Sequence, residues 1–162
     1  MSSTSHHRYQ SAAATIFIIG LVAGTLDIIA ACTQYYINTG KAPGNVLRYV
    51  ASGVFGWDKA RTGGVPMAVW GLFFHYVIAF GLTIFFFWLF PKVNLLSKNL
   101  IITGLVYGIF AWIVTTRIIV PLSNTPPSPF DLKKSIIAIT ILMFCIGLPI
   151  SLLIGRYYKA KR

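Results

Sequence analysis

Asp27 and His75 are a carboxylate and an imidazole set deep inside long apolar stretches of the chain. Burying an ionisable side chain in such surroundings is costly, and the residues that remain there usually serve a site. Within hydrogen-bond reach, a carboxylate and an imidazole shift each other's proton affinity and can share a single proton as one coupled unit. Asp27 lies ten residues before the end of its apolar run and His75 ten residues after the start of the next. If both runs are helical, each residue sits roughly 15 Å from the same edge. Adjacent antiparallel helices would bring them to one height. The chemistry open to such a pair is binding or relay of a proton, a cation or a small polar solute. The plainer role is a polar clasp between two helices.

Three further side chains are accessory candidates. Gln34 continues the face of Asp27, two helical turns on. Arg48 stands in the loop after the first run and could reach inward. Arg117 lies near the loop edge of the third run, but it is two residues, or about 200° around a helix, from Thr115 on that run's small-residue face. It is therefore expected to reach for lipid headgroups rather than for Asp27.

Other chemistries find no matching pattern. A metal site needs several His, Cys or carboxylate ligands converging, and His6-His7 is a terminal pair with no such companions. A haem held by two imidazoles would need a second histidine within the apolar runs. No Ser or Cys is spaced to act as a nucleophile beside Asp27 or His75, and no phosphate-cradling glycine loop occurs. Cys32 and Cys145 both fall inside apolar runs and read as small buried hydrophobes. The expectation is a non-enzymatic protein with no cofactor, no metal and no catalytic residue.

The elements that must position Asp27 and His75 are apolar runs at about 12–37, 65–90, 100–120 and 135–155. Stretches of this length with almost no charge read as transmembrane helices. At 1.5 Å per residue the shorter two reach roughly 31 Å and the longer two roughly 39 Å, against a hydrocarbon core of about 30 Å. The predicted fold is an all-α integral membrane protein, a bundle of four transmembrane helices forming one domain over 1–162. Between the first two spans, Val46, Leu47, Val50, Ala51, Val54 and Phe55 recur at helical spacing behind Pro43. That predicts a helix over about 43–55, too short to span, lying in the interface or re-entrant.

Small residues mark the faces where these helices would meet. Gly20, Gly24, Asp27, Ala31 and Gln34 form one stripe; Ala68, Gly71, His75 and Ala79 a second; Gly104, Gly108, Ala111 and Thr115 a third. Two of these contain a GxxxG motif, which lets helices approach closely in lipid. Pro149 should kink the fourth span. Aromatic residues such as Tyr35, Tyr36, Trp88 and Tyr157 gather at span ends, as an interfacial belt does.

Charge fits the same picture. Fourteen Lys and Arg face three Asp and no Glu, for a net +11. The basic residues lie in the gaps between apolar runs, facing headgroups, so nucleic acid is not an expected partner. Seven of them fall on the side of the termini and six on the other, Arg117 apart. The cluster from Arg156 to Arg162 directly abuts a span and favours both termini in the cytoplasm. Ile29-Ala30-Ala31-Cys32 is similar to a lipoprotein cleavage box. The long preceding apolar stretch, Asp27 within it and the single basic Arg8 before it favour a retained span.

The blocks Ala23-Gly24-Thr25-Leu26-Asp27, Ala51-Ser52-Gly53-Val54-Phe55-Gly56, Gly71 with His75-Tyr76-Val77-Ile78-Ala79-Phe80, Gly104 with Tyr107-Gly108, and Val120-Pro121-Leu122-Ser123 follow one another in order. From about Gly20 to Leu122 they resemble a family of small four-span bacterial inner-membrane proteins of unknown function. That resemblance implies the four-helix architecture, a bacterial plasma membrane, and Asp27 and His75 as family features; it brings no reaction or cofactor. The resulting expectation is a homo-oligomeric, multi-pass protein that binds or moves a small solute, proton or cation at Asp27 and His75. The rival expectation is a subunit that anchors a membrane complex.

Overall fold

A computed structural model describes residues 11–127 and 129–161. The His6-His7 pair, Arg8 and Arg162 lie outside the described residues. The chain is all-helical, with no strand among the described residues. Four helical segments are long and apolar enough to cross a membrane: Ala12–Thr39, Gly64–Lys92, Leu100–Ile119 and Leu132–Ala160.

Helix α1 (Ala12–Thr39) starts where the Ser11 hydroxyl accepts the Ala14 N–H at 3.1 Å. It ends at Gly40, whose φ of 65° closes the last turn through an N–H···O bond to Tyr36. Helix α2 (Gly44–Phe55) follows Pro43 and stops at Gly56, φ 80°. The interposed helix was thus legible from the apolar stripe. The next element was not: Trp57–Thr62 forms a further short helix, α3, before α4 (Gly64–Leu89) begins. A 3₁₀ turn and helix α5 (Leu95–Lys98) lead into α6 (Leu100–Ile113), where the Asn99 side chain accepts from the N–H of both Ile101 and Ile102.

Two prolines shape the remaining spans. Beyond α6 the chain widens into a π-helical stretch, Val114–Ile119, just before Pro121. Past α7 (Leu132–Leu142) a second such stretch, Met143–Gly147, precedes Pro149, and α8 (Leu148–Ala160) completes the fourth span. A proline has no N–H to donate, and its ring crowds the carbonyl four residues back. A wider turn ahead of it relieves both. The fourth span also extends past the expected 135–155 at both ends, because Asp131 caps its start and its last turns remain helical through Tyr157 and Tyr158.

Packing is tight at one end. Helix α1 lies against α4 and the fourth span, α6 lies against the fourth span, and α2 lies along α4. Phe86 of α4, Phe90 of the 3₁₀ turn after it, Tyr107 of α6 and Ile146, Ile150 and Ile154 of the fourth span form the buried core. There Tyr107 donates to the Leu82 carbonyl at 2.6 Å and Ser151 to that of Leu100 at 2.8 Å.

The glycines sit at the closest approaches. A methyl on Gly20 would strike Phe80, and one on Gly24 would meet the Tyr76 ring at 2.9 Å. On Gly71 it would run into the backbone of Leu47. On Gly104 it would come within 2.9 Å of the Leu148 Cα, and on Gly108 it would overlap the Met143 backbone. Each stripe therefore faces another helix of the same chain.

Candidate functional site

Asp27 of α1 and His75 of α4 face each other. The nearest approach, Nδ1 to Oδ2, is 4.0 Å, with the side chains 12% exposed for His75 and 17% for Asp27. That is close enough for strong charge coupling yet too long for a direct hydrogen bond; a shift of about 1 Å would make one. The other ring nitrogen is already engaged, because Nε2 lies 2.8 Å from the Gly24 carbonyl. A carbonyl only accepts, so Nε2 carries the hydrogen. In a neutral ring that leaves a lone pair on Nδ1, aimed at Asp27. A lone pair facing an ionised carboxylate is repulsive. The arrangement is satisfied when the pair holds one proton, either on Nδ1 or on the carboxyl group.

A second tie holds the two helices in register one residue along. The hydroxyls of Thr25 and Tyr76 are 2.7 Å apart. The His75 and Tyr76 rings meet edge to face at 5.6 Å, so α4 grips α1 with two adjacent side chains.

The pair lies on the wall of a cavity of about 380 Å³. Helix α4 supplies Phe74, Val77 and Ile78, and the fourth span supplies Leu142 and Ile146. The roof is α2, through Tyr49, Val50, Gly53 and Val54, together with the turn after the third span. That turn is strapped to α2: the Asn124 N–H donates to the Gly53 carbonyl at 2.9 Å and its side-chain amide to that of Val54 at 3.3 Å. Ser123 and Thr125, 2.7 Å apart through their hydroxyl oxygens, face the same cavity. Most of the lining is hydrocarbon. Polar atoms come from Asp27, His75, Tyr49, Thr115, Ser123 and Thr125.

The three accessory candidates stand elsewhere. Gln34 lines a separate groove between α1 and α2. Arg48 does not reach inward: its guanidinium donates to the Asn45 side-chain oxygen at 2.7 Å and to the Arg61 carbonyl at 3.2 Å. Carbonyl and amide oxygens near the helix end satisfy it without burial. Arg117 is exposed and lies between the Trp112 and Phe130 rings, 5.9 and 5.7 Å from their centres. None of the three joins Asp27 and His75.

Sequence reasoning missed Thr25, Tyr76, Tyr49 and Ser123. Thr25 and Tyr76 flank residues already singled out, so a count of side chains on both edges of each stripe would have found them. Tyr49 and Ser123 enter through the fold of two loops, which no spacing within a single helix reveals. No group of three or more His, Cys, Asp or Glu able to hold a metal occurs among the described residues.

No protein-family model, curated protein or solved structure matches the chain. The resemblance to four-span bacterial proteins thus rests on the sequence blocks alone, and the chemistry of the site on its own geometry.

Proposed function

We propose that the chain is a multi-pass membrane protein, a four-helix bundle whose α2 lies at the interface, that binds or passes a small solute, proton or cation at the Asp27–His75 pair. The observation that carries this reading is the position of that pair. A carboxylate and an imidazole 4.0 Å apart, mostly buried, border a cavity of about 380 Å³. A pair that only clasped two helices would have no need of adjoining space. Four helices enclose little room alone, so the working unit in this proposal is a homo-oligomer in a bacterial inner membrane, with both termini in the cytoplasm.

One observation favours the rival role of a non-catalytic anchoring subunit. The bond from His75 to the Gly24 carbonyl already gives the imidazole a structural task. Against that role, the stripe glycines Gly20, Gly24, Gly71, Gly104 and Gly108 all meet other helices of the same chain, so any second helix, of a partner or of another copy, would dock on other residues.

Proton and monovalent-cation flux into proteoliposomes separates the two. The proposal expects flux from the native protein that is lost in Asp27→Asn and in His75→Ala while both variants purify as the native oligomer. Absence of flux, with both variants falling apart, would make the pair a clasp.

A further inference from the structure

A second site, independent of Asp27 and His75, lies where α1, α2 and α3 meet. A groove of about 510 Å³ is lined by Gln34, Tyr35, Lys41, Asn45, Trp57 and Arg61, among others. Among the described residues no carboxylate lines it. Its polar lining is rich in donors. The Asn45 oxygen is taken by Arg48, and the Asn45 amide donates to the Tyr35 hydroxyl oxygen at 3.3 Å, which leaves the Tyr35 hydrogen free to donate. Lys41 has no carboxylate within 4.0 Å among the described residues, and Arg61 meets only Asp58, 3.7 Å away on an almost fully exposed side chain. The bond from Arg48 to the Arg61 carbonyl fixes α3 against α2 and so sets the groove's width.

We propose that this groove binds a phosphate-bearing anion. An ammonium, a guanidinium, a phenol and an amide offer donors from several directions, which suits a group with three or four acceptor oxygens better than a planar carboxylate. Its level agrees: Gln34 and Tyr35 lie in the last turns of α1, and Tyr35 and Trp57 are the amphipathic rings that favour the membrane–water boundary. Phosphate groups of lipids lie at that height, and basic pockets beside spans hold them. The phosphate could belong to a lipid headgroup or to a soluble ion.

The test uses the full chain in nanodiscs of phosphatidylcholine, with and without phosphatidylglycerol, and reads bound lipid by native mass spectrometry. Inorganic phosphate is titrated separately into the phosphatidylcholine discs. Lys41→Gln and Arg61→Gln remove one charge each from exposed side chains and spare the backbone bond to Arg48. Lys59→Gln removes a charge from α3 itself, outside the groove. A groove site loses about fivefold in affinity for each of the first two changes and less than about twofold for the third. Retention of phosphatidylglycerol with that pattern assigns a lipid headgroup; phosphate binding with that pattern assigns a soluble anion. Equal losses for Lys41→Gln and Lys59→Gln would reduce the effect to diffuse charge and overturn the site, as would failure of the native protein to bind either probe. A flux result at Asp27 and His75 leaves this outcome untouched.

Discussion

Gly71→Ala tests whether α2 is seated on α4 as the roof of the cavity. The added methyl would lie 2.6 Å from the Leu47 carbonyl carbon and 3.1 Å from its Cα, with the carbonyl oxygen nearer still. These are backbone atoms and cannot swing aside as a side-chain tip can, so α2 as a whole must lift. Overpacking of this kind costs about 1–3 kcal/mol. Against it stands the helix preference of alanine over glycine, worth about 1 kcal/mol. A clash with backbone belongs at the upper end of that range, so the net loss is about 2 kcal/mol. Gly81→Ala is the internal control: it lies in the same helix and its methyl would meet nothing within 4 Å. That change keeps the helix gain with no clash. Thermal midpoints in detergent should therefore fall by about 4–8 °C for Gly71→Ala and hold or rise for Gly81→Ala. Hydrogen exchange across Val46–Phe55 should quicken in the first variant alone. Equal midpoints with unchanged exchange would refute the close seating of α2.

Other consequences follow from single contacts. Tyr107→Phe removes the bond to the Leu82 carbonyl inside the core and should cost about 1 kcal/mol, read as a midpoint lowered by about 2–4 °C. Asp131 caps α7, and the Lys134 backbone N–H bonded to its carboxylate holds it below its ordinary value of 3.8. Folding thus favours the ionised form, so the cap is intact above about pH 4 and is lost as pH falls through the lowered value. The Lys134 amide resonance should move as pH falls below about 4 in the native protein and stay flat in Asp131→Asn.

The four long helices were legible because uninterrupted apolar length is a local property. Their ends were less so. Asp131 as a cap and the continuation through Tyr158 add turns that hydropathy alone does not see. The Asp27–His75 juxtaposition could be counted from the sequence, since two antiparallel helices that leave and re-enter at one edge share a common height, whatever lies in the connection between them. The remainder of the site depends on contacts between loops. Asn124 bonds to the carbonyl of Gly53, about seventy residues away along the chain, and nothing in either segment announces the other. Arg48 shows the converse: its charge suggested an inward reach, yet the side-chain oxygen of Asn45 and the backbone oxygen of Arg61 satisfy it where it stands. Likewise Gln34 shares a stripe with Asp27, but two helical turns carry it to a different groove.

In the proposed site Asp27 and His75 hold one proton between them, with Nε2 committed to the Gly24 carbonyl. Nitrogen-15 spectra of histidine-labelled protein in nanodiscs, recorded across pH for the native chain and for Asp27→Asn, test it directly. Nε2 is expected to carry the hydrogen in both proteins, and the Nδ1 resonance to differ between them because the carboxylate facing it is gone. An Nε2 without its hydrogen, or Nδ1 resonances identical in the two proteins, would contradict it.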